Sequence, residues 1–465
     1  MSSSFEILLQ QAIALHRRGD GIAAEPLYRA VLADQPAHGE ANHNLGMLLA
    51  QRGLDAESLP LFQAALKSQP GTGQYWLSYA SALLATGHPR EAQMVLSRGQ
   101  QRGLAGPAMD ALFQKAQAAL QPSDADLRFE LGTAHAIEGR MQDAIAAYRE
   151  TIAIAPDHAE AHFRLGSILS ETGHIAEGFA HYMRRAALVH QGRPMRQDKP
   201  EPAHKIKHDR EQADYLAERL GLDVPSETLP FHLEDGTRLP GPAVNPANAT
   251  PALVQQWQSG HPQMVVIDDF LTPAALEKLR HYCAGSTIWH RNYDAGYIGA
   301  TPEDGLACPL MAQIAEEISA TFPQMIGAHG FRYLGAFKYD STLSTGTNTH
   351  ADNAAVNVNF YIAPDEANLD AESGGMDIWD VAAPSLEDMR KYNSDETAAR
   401  AFLDHSNARL TRIPHRANRA VIFKSDLFHK TSDCRFREGY LNKRINVSLL
   451  FGNRGEPTHT NSTLP

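Results

Sequence analysis

Cysteine is scarce in this chain: three in 465 residues, Cys283, Cys308 and Cys434. They form an odd set with no CxxC spacing, which argues against a disulfide framework or a cysteine zinc site and fits a reducing cytosol. Long apolar runs are also missing; none approaches the ~20 residues that span a bilayer. The start, MSSSFEILLQQ, lacks a basic stretch followed by an apolar one. Neither a membrane span nor a signal peptide is therefore expected, and the expected location is cytoplasmic. Basic residues are in deficit, with 42 Lys+Arg against 54 Asp+Glu and a net charge of −12. General nucleic-acid binding, which needs a basic face, is not expected. The length exceeds one ordinary domain and points to two or three.

What is present first is a repeat. Gly46, Gly53, Phe62, Ala65 and Pro70 are followed 34 residues later by Ala80, Gly87, Leu96 and Gly99. Thirty-four residues earlier stand Ala12, Gly19, Tyr28, Val31 and Pro36. The pattern returns at Gly132, Gly139, Ala144, Tyr148 and Pro156, then at Gly166, Gly173, Gly178 and Tyr182. An irregular piece, roughly 105–122, is expected to interrupt the array. A small residue within the first helix lets the second pack close, and the next Gly sits at the turn. An aromatic fills the gap to the following repeat. This grammar resembles the tetratricopeptide repeat family, with about five helix pairs. The resemblance implies an all-α helical repeat solenoid over 1–190 that binds a protein or peptide partner on its concave face.

Residues 191–261 change character. QGRPMRQDKPEPAHKIKH is polar and proline-bearing, and PSETLPFHLEDGTRLPGPAVNPANATP is rich in turns. A linker with one helix, DREQADYLAERLGL, is expected. The cluster Lys205, Lys207, His208 and Arg210 reads as solvated linker rather than an anion site. From 262 to 455 the pattern turns β-rich. MVVIDDF, FRYLGAFKY, AVNVNFYI, GMDIW, RAVIF and RINVSLLF read as strands. Thr272 and Pro273 open one helix, a second is expected at 309–321, and 384–408 reads as a helical insertion. Residues 456–465 are left as a tail.

The β-rich half holds the only H-x-D of the chain, His350-Ala351-Asp352. In a strand, positions i and i+2 point to one face, so both side chains can reach one ion. His429 follows the RAVIF strand and its polar turn. Two histidines and one carboxylate leave three coordination positions open, which suits Fe(II). On RINVSLLF, Arg444, Asn446 and Ser448 share one face. A buried Arg needs an anion.

These segments, in this order and opened by IDDFLTPAALEKL, resemble the 2-oxoglutarate/Fe(II)-dependent oxygenases, within them the prolyl-4-hydroxylase-like branch. The resemblance covers about 264–453 and implies a double-stranded β-helix, or jelly roll, with flanking helices. It implies that His350, Asp352 and His429 hold Fe(II), that Arg444 pairs with the distal carboxylate of 2-oxoglutarate, and that Ser448 donates to it. The polar alternation Asn357, Asn359 and Tyr361, with Tyr339 on the preceding strand, is placed toward the co-substrate pocket; each reads equally well as a structural polar residue. The implied activity is hydroxylation of a C–H bond, with O2 as co-substrate and 2-oxoglutarate converted to succinate and CO2. Asp352 fills the place that halogenating relatives leave open, so oxygenation is expected. Three readings stay open: a protein or peptide hydroxylase whose repeats recruit substrate, a small-molecule hydroxylase whose repeats serve assembly, and a non-catalytic scaffold.

Overall fold

A computed structural model of the chain describes residues 4–120, 123–191, 201–221, 230–327, 329–340 and 347–456. Nearly all of the expected tail, and the stretches 192–200 and 222–229 of the expected linker, lie outside the described residues. Two compact units divide the chain, Met1–Leu127 and Arg128–Pro465.

The first unit is helical. Ser4–Arg17 pairs with Gly21–Asp34, Gly39–Gln51 with Asp55–Ser68, and Gly73–Ala85 with Pro89–Gln101. The small-residue positions do what the repeat requires: a Cβ on Gly46 would lie 2.9 Å from the Phe62 ring. Gly53 ends its helix at φ 75°, a region where only glycine is comfortable. The piece at 105–122 is irregular in phase, but its described part is mostly helical. Pro107–Ala119 is a helix, and Met109 and Ala116 bury their side chains with Leu83 and Leu96 of the preceding pair.

The second unit begins with repeat helices and ends with sheets. Met141–Ile154, Ala159–Glu171 and Ile175–His190 continue the repeat phase. The last of these helices belongs to the core of the sheet domain. Ile175, Phe179 and Tyr182 share one buried cluster with Ile298, Leu310 and Phe331. The Phe179 and Phe331 rings meet edge-on at 5.3 Å, and Arg332 pairs with Glu171 at 2.9 Å. The expected boundary at 190 is thus not where the compact units part, because this helix's apolar face is covered by the sheet domain.

The described part of the expected linker is likewise built in. Ala203–Leu220 is a helix whose Lys205, His208 and Gln212 are buried. Lys205 pairs with Asp209. His208 bonds Asp209 through Nδ1 at 3.0 Å and Lys338 Nζ through Nε2 at 3.2 Å. Lys205 and His208, which look solvated in sequence, are buried here because each finds a partner, while Arg210 of the same cluster stays exposed. Ala243, Val244 and Trp257 also join the main core.

Ten strands follow among the described residues: β1 Met264–Ile267, β2 Arg291–Tyr293, β3 Tyr297–Ala300, β4 Phe331–Tyr339, β5 Val356–Tyr361, β6 Met376–Ala382, β7 Leu410–Ile413, β8 Ala420–Lys424, β9 Leu427–Thr431 and β10 Arg444–Phe451. Seven form one antiparallel sheet, β1-β8-β5-β10-β4-β3-β2, and three form a second, β7-β6-β9. Helices Pro273–Gly285, capped by the Thr272 side chain, and Pro309–Thr321 stand where expected. On β5, Val356, Val358 and Phe360 enter the main core, leaving Asn357, Asn359 and Tyr361 to the opposite face. No described helix is long and apolar enough to cross a membrane.

Candidate metal centre

The sequence signal for the site is two histidines and an aspartate on separate segments; the fold brings them together through backbone pairing. His350 donates its N–H to His429 O at 2.9 Å and accepts from His429 N at 2.8 Å. Asp352 N donates to Ser425 O at 2.8 Å. The HAD segment is thereby laid along the free side of β9. One ligand atom from each of His350, Asp352 and His429 lies within 4.8 Å of the others, and His429 Nε2 stands 3.4 Å from Asp352 Oδ2.

The donor chemistry fits a metal ion. His350 Nδ1 lies 2.8 Å from Asn348 O, and His429 Nδ1 lies 2.9 Å from Leu427 O. A carbonyl oxygen only accepts, so Nδ1 carries a proton in both rings and Nε2 is the atom left to face a metal. Burial lowers the His350 pKa, reinforced by the His429 charge, and so favours the neutral imidazole a metal requires. Burial pushes the Asp352 carboxyl up, but the hydrogen bond and charge of His429 outweigh it and hold Asp352 below its ordinary value.

The two polar strands behind the centre form a chain of amides. Asn357 Nδ2 donates to Asp352 Oδ2 at 2.7 Å, and Asn359 Nδ2 to Asn357 Oδ1 at 3.3 Å. Asn446 Nδ2 donates to Asn359 Oδ1 at 2.9 Å, and Arg444 Nη1 to Asn446 Oδ1 at 2.7 Å. Ser448 Oγ accepts from Asn359 at 3.2 Å. The register that allows this pairs Ser448 with Asn359 and Asn446 with Tyr361 across β10 and β5.

Arg444 is 1% exposed. Its other hydrogen bonds go to Gly374 O at 2.6 Å and Gly375 O at 3.0 Å, and it lies over the rings of Tyr339 and Tyr361 at 4.7 and 5.2 Å. Among the described residues no carboxylate lies within ion-pair distance of it. The Tyr361 hydroxyl is buried close by and meets no partner at hydrogen-bond geometry. Burial pushes its pKa up to about 12, with the Arg444 charge opposing, so it stays a donor. A buried guanidinium without a countercharge beside an orphaned hydroxyl fits a small carboxylate.

A cavity of about 600 Å³ opens onto the centre. Tyr339, His350, Asp352, Asn359, His429 and Ser448 lie on its wall, whereas Asn357, Tyr361 and Arg444 do not. Asn357 serves the Asp352 carboxylate rather than the cavity. Sequence reasoning gave no role to Asn446, which lines the cavity and links Arg444 to Asn359, although its strand face was evident. It also missed the aromatic wall. Tyr293 and Tyr297 stack at 4.5 Å across the β2–β3 hairpin, and Tyr297 stacks on Tyr339 at 4.8 Å. The turn Asp294-Ala295-Gly296 was the available signal.

Comparison with known proteins identifies the repeats. Residues 9–72 and 77–159 match the tetratricopeptide repeat family, so the N-terminal part of the chain carries these repeats. Similar solved structures include MamA from Desulfovibrio magneticus RS-1, at 19% identity over 40% of this chain and 96% of that one, TM-score 0.20. YrrB, described as a TPR protein with an unusual peptide-binding site, matches at 17% identity over 39% of this chain and 84% of that one, TM-score 0.19. The Yersinia enterocolitica type III secretion chaperone SycD, in complex with a peptide of the translocator YopD, matches at 18% identity over 26% and 92%, TM-score 0.23. No curated protein matches the chain.

Proposed function

We propose that the C-terminal part of the chain is a 2-oxoglutarate/Fe(II)-dependent oxygenase that hydroxylates a C–H bond of a protein or peptide recruited by the repeats. The observation that carries this reading is the convergence of His350, Asp352 and His429 with both Nδ1 atoms tied to backbone carbonyls, which leaves Nε2 to face a metal. The strand arrangement supports the double-stranded β-helix: β4, β10, β5 and β8 are neighbours in one sheet, and the HAD segment, β9, β6 and β7 are neighbours in the other.

His350, Asp352 and His429 would hold the iron, and Ser448 on the cavity wall, with Arg444 and Tyr361 just off that wall, the 2-oxoglutarate. When bound, these groups together with O2 supply the oxidising power for hydroxylation. The chain's own residues do the rest. Asn348 O and Leu427 O fix the imidazoles, and Asn357 orients the carboxylate. The aromatic wall excludes water and positions the reacting bond. Burial raises the pKa values of Tyr297, of Tyr339 and of Tyr333, which also lines the cavity, so these rings remain neutral phenols. The repeats would capture remote parts of the substrate, as such arrays do along an extended surface. A small-molecule substrate is the second reading; the cavity volume is within the range of small-ligand sites and favours it.

The test is anaerobic reconstitution of the full chain with Fe(II), followed by metal analysis and succinate measurement with 2-oxoglutarate. Chelator-removable iron and slow uncoupled succinate formation are expected, both lost in His350→Ala, Asp352→Ala and His429→Ala. Iron binding in all three variants equal to wild type would sink the proposal.

A further inference from the structure

The helical insertion, Leu386–Ser394 and Glu396–His405, plays no part in the proposed chemistry so far. Its contacts fall on the HAD segment. In an extended strand, successive peptide groups face opposite edges. The 350 and 352 amides face β9 and the turn before it. The 349 and 351 amides face the other way, where no described strand pairs with them. That edge is filled by two side chains. Asn393 accepts from Ala351 N at 3.0 Å and donates to Ala351 O at 2.8 Å. Glu396 accepts from Thr349 N at 2.5 Å and from Thr349 Oγ1 at 3.1 Å. Thr349 and Ala351 are each 1% exposed, so water does not serve these groups.

Apolar packing reinforces the grip. Ala351 and Phe428 share a buried cluster with Met389 and Leu403 of the insertion. The Tyr392 and Phe402 rings each stand 5.7 Å from the Phe428 ring. The insertion therefore holds the residue between His350 and Asp352 and the residue before His429. Asn393 in addition reaches the cavity wall.

We infer that Asn393 and Glu396 are positioning residues that set the backbone of the HAD segment, and with it the spacing of the metal-ligand atoms. The metal part of this inference rests on the function proposed above; the backbone part does not. Asn393 imitates a neighbouring strand at Ala351 by supplying one acceptor and one donor. Without it, the peptide groups between the two ligands lose their partners on one edge, and His350 and Asp352 are free to splay.

Two measurements on the full chain test this. The first is hydrogen exchange of the segment 347–353 in metal-free protein. Asn393→Ala is expected to lose the protection of the Ala351 amide, while Ser385→Ala, which removes the cap of the same helix, keeps it. The second is anaerobic titration with Co(II), read by its visible absorption bands. Asn393→Ala should bind about tenfold more weakly than wild type, as expected when a supporting hydrogen bond is lost. Ser385→Ala should bind as wild type. If Asn393→Ala folds poorly, Asn393→Asp keeps an acceptor for Ala351 N but no donor for its carbonyl, and an intermediate loss is expected. Unchanged exchange in the Asn393 variants overturns the inference, as does equal weakening by Ser385→Ala. Absence of cobalt binding in wild type refutes the metal centre, and the exchange result still decides the clamp.

Discussion

Asp352 and Arg444 are the two ends of one hydrogen-bonded chain, joined through Asn357, Asn359 and Asn446. The candidate iron ligand and the candidate co-substrate anchor are thus oriented by the same amides on β5 and β10. Asn357→Ala removes the donor to Asp352 and is expected to weaken metal binding about 10–100-fold. Co(II) titration checks it, and wild-type affinity would show that Asp352 needs no such support.

Tyr361→Phe should separate co-substrate binding from stability. The Tyr361 hydroxyl is buried without a protein partner, so its removal is expected to leave the melting temperature unchanged or raise it. 2-Oxoglutarate binding should weaken, measurably by calorimetry. Arg444→Ala should weaken it more, but should also destabilise the fold, because the Gly374 and Gly375 carbonyls lose their donor. Full co-substrate affinity in both variants would remove these residues from the site.

Gly178→Ala should be costlier than Gly46→Ala. A Cβ on Gly178 would lie 2.6 Å from Gly166 O, which is backbone, whereas on Gly46 it meets the Phe62 ring at 2.9 Å. A ring can shift and a helix backbone moves less readily. The expected cost is about 1–3 kcal/mol for Gly46→Ala and more for Gly178→Ala, read from denaturant midpoints. Equal costs would show that the two interfaces yield alike.

Truncation should depend on where it falls. A chain starting at 128 keeps Ile175, Phe179 and Tyr182 in the core, and is expected to melt cooperatively and bind Co(II). One starting near 195 exposes the surface those residues cover. Burying Phe179 alone contributes roughly 1.5–3 kcal/mol, so this shorter form should aggregate or melt well below the longer one. If the 128 form also loses most turnover of a macromolecular substrate while keeping uncoupled succinate formation, the repeats of the first unit act in recruitment. Unchanged turnover of that substrate would favour the small-molecule reading.

Acid should destabilise the protein through buried neutral histidines. Burial lowers His208 and His290 to about 3 and His415 to about 4. Unfolded histidine titrates near 6.5. Between those values the unfolded chain binds protons that the native chain does not, so stability falls as pH drops below about 6.5, by up to about 1.4 kcal/mol per pH unit per group. His208→Gln should flatten the dependence between about pH 6 and 4.5 by one such group. An unaltered slope in chemical denaturation would mean that His208 is not held neutral.

The repeat phase, the strands carrying the site and the candidate ligands were legible in the sequence because each is a local pattern. A period of 34 marks small residues at helix contacts, and an i, i+2 spacing places His350 and Asp352 on one face. Alternation likewise put Arg444, Asn446 and Ser448 together. Such patterns say which face of an element is apolar or polar; they do not say what covers it. Tertiary structure alone decided that the helix Ile175–His190 is buried by the sheet domain, that Lys205 and His208 are interior, and that Asn393 and Glu396 complete the edge of the HAD segment. The physical reason is that a polar group's burial depends on whether its partner arrives from elsewhere in the chain, as Lys338 does for His208 and Asn393 for Ala351.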